Sequence, residues 1–405
     1  MMNGRKSNGQ VSICHVFFGN VFALPILRNE LIHYRKHNIH ATVIAPRYPH
    51  EQSPEVLAIS LESNFDHVGF HFISLTGRKL TASQQAGLKL IRYIEFVVRT
   101  LARILKTRAD VYVGHDMPAM LPVFLGCWLA GRKMIYHAHE IWSEAGTEIS
   151  PLLRCWKPLE MLVARRADLV VVPEENRAEI FYREFGARKR PVIVRNIPDW
   201  KPLTNRLDLR KKIGIEENTV LVLYHGLLSP SRCLPELVDS LSWLPEDVHV
   251  VLLGPGERAF VSSLEEKGRK AGMGSRLHVL HRVSYNDVQE YISSADIGIV
   301  LYRNRGRNNY FAAPNKFYEY AFSGVPVVVS DFPGLRKLVQ DGEFGTWCDP
   351  ESPKDIARAV MKVKETVNRS ALAGRAREMF SWEKEFQCLA NAYRTLIGNP
   401  GGKGD

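Results

Sequence analysis

Three groups of side chains in this sequence could do chemistry. Asn315-Lys316-Phe317-Tyr318-Glu319 sets a cation and a carboxylate three residues apart, ahead of Gly324, Pro326 and the apolar run Val325 to Val329. His115-Asp116 and His137-Ala138-His139-Glu140 place three imidazoles and two carboxylates directly after two apolar segments. Gly226 and Arg232 follow a third such segment, Val220 to Tyr224. A carboxylate one turn into a helix, at the carboxyl end of a parallel sheet, is well placed to take two hydroxyls of a ribose. Imidazoles and carboxylates at the ends of neighbouring strands are what an active cleft at that sheet edge needs. A Gly turn with a cation ahead of a helix suits phosphate. The plainer alternatives are a solvated helical Glu, structural histidines and surface cations.

The elements that must position these groups follow from the same stretches. Pro314 suits a first helical turn, Gly324 a left-handed helix stop, and Val325 to Val329 a strand buried on both faces. Phe317 and Ala321 would face the core together, with Glu319 at the edge of that face. Upstream, Val11 to Phe18, a turn at Gly19, helical spacing over Leu24 to His37 and the run Ala41 to Ala45 open a Rossmann-like unit. Gly19 would allow close approach of a phosphate or sugar. Strands are expected at Asp110 to Val113, Met134 to Tyr136, Asp168 to Val172 and Val192 to Val194. A second α/β series has strands at Val220 to Tyr224, Val248 to Leu253, Leu277 to Leu280 and Ile297 to Leu301, with Gly254-Pro255-Gly256 as a turn. The expected organisation is an α/β chain of two doubly wound domains, 1–199 and 205–380. A terminal helix over 381–397 and a tail at 398–405 complete it.

Composition bounds the function. The chain has 405 residues, 45 % hydrophobic and 24 % charged, ordinary for a soluble protein of two or three domains. Its six cysteines are scattered and read as small buried hydrophobes. The polar start, Met1 to Gln10, lacks an apolar leader, and Pro118 to Gly131 reads as a buried helix too short to span a bilayer. No Asp-x-Asp pair occurs, so no carboxylate-held metal or other cofactor is expected. An excess of eight positive charges in the first 200 residues, within a net charge of +11, suits an acidic surface or substrate. No nucleic-acid motif accompanies it. Leu88 to Arg108 reads as a basic amphipathic helix with an apolar stripe of Leu90, Tyr93, Ile94, Val97, Leu101, Ile104 and Leu105. It either covers a sheet with its charges in water or rests on an anionic membrane. The expected location is cytoplasmic, with a peripheral place on the inner face of the membrane under the second reading.

The Asn315–Ser330 string resembles the donor-binding signature of the family-four retaining glycosyltransferases, through Glu319, Gly324, Pro326, Val327 and Val328. The resemblance implies a GT-B fold: two Rossmann-like domains facing a central cleft, with the terminal helix crossing back to the first. It implies that Glu319 holds the ribose of a nucleotide sugar. Arg232 and Lys316 would share the diphosphate, with Gly226, Gly254, Val283 and Asn315 also on the donor side. Arg282 to Ser284 would meet the base through backbone groups. His139 would lie beside the transferred sugar as a catalytic group, with His115, Asp116 and Glu140 on the acceptor side. Two departures stand out: the position eight before Glu319 is Phe311, where many members carry a second Glu, and the cation expected directly after Gly226 is Leu227. The implied activity is transfer from a nucleoside diphosphate sugar (UDP-sugar favoured, GDP-sugar open) to a saccharide or lipid-linked saccharide. A nucleotide-sugar 2-epimerase or a non-catalytic sugar-nucleotide-binding subunit remain the alternatives.

Overall fold

The computed structural model describes residues 10–21, 24–47, 65–72, 82–145, 155–198, 207–281, 283 and 285–398. It divides into two compact units. The described residues up to Ala145, those from 155 to Arg195 and those from Trp382 form the first; Asn196 to Ser381 form the second. The Arg282 and Ser284 positions, all but Pro198 of the linker expected over Pro198 to Thr204, and the tail beyond 398 lie outside the described residues.

The first unit is built on a parallel sheet of β1 (Val11–Phe17), β2 (Ile39–Ile44), β3 (Phe65–His67), β4 (Val111–His115), β5 (Lys133–His137), β6 (Leu169–Val172) and β7 (Val192–Ile193). Their order is β3-β2-β1-β4-β5-β6-β7, so the winding reverses between β1 and β4. Helices cover both faces, which is why these strands read as unbroken apolar runs rather than alternating ones. His15 interrupts one such run, a fully buried imidazole inside β1. Phe17 pairs with His115, and His115 with His137, so three strand ends meet at that reversal. One face is filled by Leu27, Leu31 and Tyr34 of the Pro25–Tyr34 helix together with Trp382, Phe386, Leu389 and Tyr393 of the terminal Trp382–Ile397 helix. Glu385 fastens that helix to β7's exit by accepting bonds from the Arg195 backbone N–H (2.8 Å) and Nε (2.9 Å).

The second unit carries β8 (Val220–His225), β9 (Val248–Leu253), β10 (Leu277–Leu280), β11 (Ile297–Val300), β12 (Val327–Ser330) and β13 (Gly345–Cys348). These are again parallel, in the order β10-β9-β8-β11-β12-β13, with the reversal between β8 and β11. Two apolar clusters sandwich the sheet, one centred on Phe317, Tyr320 and Phe344, the other on Leu234, Leu237 and Val360.

Several expectations need correction. Pro314 is the N-cap, one place outside the Asn315–Phe322 helix, whereas Gly324 has the expected left-handed φ of 68°. Gly19 has no positive φ; its side-chain hydrogen lies against the Phe17 ring instead. Two of the six cysteines, Cys155 and Cys388, are exposed, so only four behave as core hydrophobes. The Asp116–Ala130 helix is buried along most of its length, yet Trp128 and Leu129 are exposed at its last turn. The long helix spans Ala82–Lys106, and its buried face is Phe96, Thr100 and Ile104. Leu90, Ile91, Ile94, Val98 and Leu105 point to solvent. The expected stripe therefore splits, because the face that packs against the Asp116–Ala130 helix is narrower than the apolar arc. Arg99 and Arg103 turn away from that outer face, over the Phe70 ring.

Candidate functional site

In the second unit the site forms at the reversal of the sheet, the position where open α/β sheets bind ligands. Gly226 leaves β8 with φ 115° and donates its N–H to Leu253 O (2.9 Å), and Leu228 N–H reaches Pro255 O (2.7 Å). The two loops pack so tightly that a Cβ on Gly254 would sit 2.1 Å from Gly226 O. That contact, together with a φ of 146°, is why position 254 must be Gly. Lys316, in the first turn of the Asn315–Phe322 helix, reaches back over this turn: its Nζ lies 4.0 Å from the Tyr224 ring centroid. It would also stand 3.2 Å from a Cβ on Gly226. Arg232 ends a short 3-10 turn, Pro230–Arg232, with its guanidinium 4.1 Å above the Tyr302 ring. Its Nη1 is buried without a hydrogen-bond partner.

Two cations and one carboxylate thus share a half-buried space. Burial, and then the Arg232 charge, hold the Lys316 amine well below its usual range, with Glu319 opposing. Burial pushes Glu319 up to about 7 against the pull of Lys316. Its Oε2 lies 3.4 Å from His225 Nε2, an imidazole kept neutral by burial and by Lys316. The cations are under-neutralised, which is the condition for an anion site. Asn196 Nδ2 bonds Ala313 O (3.0 Å) and so steadies the loop that enters the helix. Asn315 is half-buried at the helix start, and Val283 packs on the core beside β10.

In the first unit β4, β5 and β1 deliver a cluster of histidines. His15 Nδ1 meets His115 Nε2 at 2.8 Å, and His115 Nδ1 meets His139 Nε2 at 3.0 Å. Behind His15, Tyr34 OH lies 2.7 Å from its Nε2 and donates to Glu30 Oε2 at 3.0 Å. His137 turns Nδ1 to Glu30 Oε1 at 3.4 Å. Burial drives all four imidazoles to the neutral form, His15 and His139 to about 3. Burial also raises Glu30 to about 8 and Asp116 to about 7, Asp116 with help from the Glu140 charge. One ring nitrogen from each of His115, His137 and His139 lies within 4.8 Å of the others, so these three could hold a metal ion. Asp116 sits in left-handed backbone (φ 58°) and accepts the His139 N–H at 2.9 Å, so it shapes the 138–140 turn. The next turn is pinned by Glu160, which accepts from Tyr136 OH (2.8 Å), Trp142 N–H (2.9 Å) and Ser143 N–H (2.8 Å).

The structure therefore gathers Gly226, Arg232, Gly254, Lys316 and Glu319 in one unit, and His115, Asp116, His137 and His139 in the other. Gly19, just beyond β1, makes none of the close backbone contacts seen at Gly254. Glu140 approaches Asp116 only through charge and a backbone contact. Sequence reasoning missed Tyr224, His225 and Tyr302 beneath the cations, and Glu30, Tyr34, His15 and Glu160 behind the histidines. The available signal was a polar residue inside an apolar run, as at His15 and His225.

Both units resemble known proteins. Residues 205–379 match the family of glycosyl transferases group 1, and residues 29–196 the glycosyl transferase 4-like domain. A D-inositol 3-phosphate glycosyltransferase from Geodermatophilus obscurus is 28 % identical over 253 residues, 58 % of this chain and 54 % of that protein. A chitobiosyldiphosphodolichol beta-mannosyltransferase from Candida albicans is 23 % identical over 253 residues, 58 % of this chain and 55 % of its own. The chain thus spans about half the length of the curated relatives it matches. A crystal structure of Anabaena HepE with UDP and glucose superposes with a TM-score of 0.72 at 17 % identity, covering 95 % of this chain and 100 % of that one. With a group 1 glycosyl transferase match on the second unit and a glycosyl transferase 4-like match on the first, each unit carries a glycosyltransferase-family domain, and the fold throughout is GT-B.

Proposed function

We propose that this chain is a retaining glycosyltransferase that moves a sugar from a nucleoside diphosphate to a hydroxyl acceptor. The observation that carries the reading is the under-neutralised pair Arg232 and Lys316, seated over Tyr302 and Tyr224, with Glu319 one turn further along the Lys316 helix. Negative charge builds on the departing diphosphate as the sugar becomes oxocarbenium-like. Two fixed cations in a partly desolvated site stabilise that charge without proton transfer. Asn315 opens the same helix, whose positive N-terminal end adds to the phosphate site. The leaving phosphate then takes the acceptor proton on the same face. His139 is the group proposed beside the transferred sugar, with His115, Asp116 and Glu140 on the acceptor side. A UDP-sugar is the favoured donor, in keeping with the UDP and glucose held by the structurally similar Anabaena protein. Incubation with a panel of nucleotide sugars tests the reading. Free nucleoside diphosphate that appears only with acceptor supports it, whereas an isomerised sugar means an epimerase and binding without turnover a non-catalytic subunit.

The acceptor is proposed to be lipid-linked, and the surface of the Ala82–Lys106 helix supports this. Its outer face exposes Leu90, Ile91, Ile94 and Val98, each more than half exposed, at the spacing of one helical stripe. Exposed Trp128 and Leu129 lie on the Asp116–Ala130 helix that packs against it. A solvated sheet-covering helix would present its charges there, not its aliphatic side chains. No described helix is long and apolar enough to cross a membrane, so the attachment would be peripheral. Anionic vesicles should sediment the protein, and Ile94→Ser with Val98→Ser should abolish this without changing its circular dichroism. Failure of the wild-type protein to sediment would mean a soluble acceptor, and equal retention of the double variant would put the attachment on another face.

A further inference from the structure

We propose that the histidine cluster of the first unit is a binding site for a divalent cation of the zinc class, held by His115, His137 and His139. Three imidazoles suit Zn²⁺, Co²⁺ or Ni²⁺ and not the hard cations that carboxylates hold. Their available nitrogens already lie within 4.8 Å of one another; a tetrahedral ion with bonds of about 2.0–2.1 Å sets its ligand nitrogens roughly 3.3 Å apart, so the wider separations must shrink while His115 Nδ1 and His139 Nε2, now 3.0 Å apart, part slightly. Rotation of the rings about their Cβ–Cγ bonds makes both adjustments.

The hydrogen bonds behind the three rings carry the argument further. Metal-bound histidines donate their second nitrogen to a carboxylate or its relay, which fixes the free lone pair toward the ion. With Glu30 ionised, Tyr34 donates its one proton to that carboxylate (3.0 Å) and accepts from His15 Nε2–H. His15 Nδ1 then accepts from His115 Nε2–H, and His115 Nδ1 is left with its lone pair facing His139. His137 turns Nδ1 toward the same carboxylate, at 3.4 Å, and its Nε2 is left over. Glu30 and His137 are fully buried, and neither atom of that long contact has a closer partner. Two of three ligands are therefore oriented by one buried acid, from different strands and through different routes. Without an ion, His139 Nε2–H fills the gap by donating to His115. With one, that proton moves to Nδ1 and all three lone pairs converge. The ion would tie β4 and β5 to the turn that carries His139, and with Nε2 so occupied His139 could meet the sugar only through its Nδ1–H.

Cobalt is the probe, and no sugar donor is needed, so the outcome is separate from that of the transferase reading. Chelator-treated protein should take up a single Co²⁺ per chain, with the strong visible absorption of a four-coordinate ion, and Zn²⁺ should displace it. Glu30→Gln keeps the side-chain volume and the folded circular dichroism, and should weaken Co²⁺ binding by about 10–100-fold. His137→Gln should remove it. Failure of the wild-type protein to develop that absorption overturns the site, and so does equal Co²⁺ affinity in folded Glu30→Gln. In either case the cluster is a chain of proton-sharing imidazoles and nothing more.

Discussion

Burial decides what Glu319 can do. An exposed helical carboxylate would be ionised and hydrated, with little to gain from a ribose. Here it is mostly enclosed between Lys316 and His225, and its carboxyl is raised to about 7. Ribose hydroxyls restore the hydrogen bonds that water no longer supplies. Glu319→Ala should therefore cost on the order of 2–3 kcal/mol of nucleoside diphosphate affinity, roughly tens-fold or more, measured by calorimetry. Unchanged binding would remove Glu319 from the donor site. Stability should show the same group with a definite sign. The folded state keeps the Glu319 proton to about pH 7, while the unfolded chain releases it near 4.5. Between those values the native state binds more protons, so the contribution of this group is fully present below 4.5 and lost as pH rises through 7. Glu319→Gln should gain on the wild type by about 1–3 kcal/mol between pH 4.5 and pH 8 in urea unfolding of the second unit. Arg232→Ala and Lys316→Ala should each lower turnover while leaving the melting curve nearly unchanged, because neither side chain fills a core. Wild-type rates in both would put the phosphate site elsewhere.

At the scale of elements, the donor site depends on two loops that could not come together with side chains on both. The Gly254 position faces Gly226 O at 2.1 Å from its missing Cβ, and the backbone there is left-handed. Gly254→Ala must push the Gly226–Leu228 turn away from β9 and shift the ground under Lys316. We expect a loss of about 2 kcal/mol or more in stability and a larger fractional loss in donor binding than in melting temperature. Normal donor affinity in the folded variant would show that the turn is not part of the site. Gly298 has a different reason to be Gly. A Cβ there would meet the Tyr320 ring at 2.6 Å, and Tyr320 OH already donates to Leu223 O at 2.6 Å, stitching the central helix to β8.

For the molecule as a whole, the last helix completes the first unit. Phe386, Leu389 and Tyr393 are fully buried against Leu31 and Tyr34, which come from the start of the chain. Trp382 Nε1 donates to His33 Nδ1 at 3.1 Å, and His37 faces Glu383 at 3.2 Å. The first unit is therefore not finished until the final residues are in place, and its folding requires contacts of very long sequence separation. Phe386→Ala should destabilise that unit by about 3–5 kcal/mol. Hydrogen exchange should show the loss in β1, β2 and the Pro25–Tyr34 helix, with the second unit's amides unchanged. Uniform loss across both units would mean that they unfold as one.

The sequence by itself determined most of the two wound sheets, since most of their strands are short β-branched runs between helical stretches and a strand buried on both faces has to read that way; β3 (Phe65–His67) and β13 (Gly345–Cys348) lack that pattern and became strands only through pairing at the sheet edges. It also determined the central helix and its stop, because Gly324 and Pro326 allow little else there. Local chemistry was enough for Arg232, Lys316 and Glu319 to stand out. Tertiary structure alone decided what surrounds them. Tyr224, His225 and Tyr302 become partners of the cations only when β8 and β11 lie side by side across the sheet reversal. Glu30, Tyr34 and His15 stand behind His115 and His137 because one helix packs across the ends of three strands, and no spacing along the chain encodes that. The outer face of Ala82–Lys106 was misjudged for a related reason. A helical pattern shows how wide the apolar arc is, but only packing settles which part of it the protein covers.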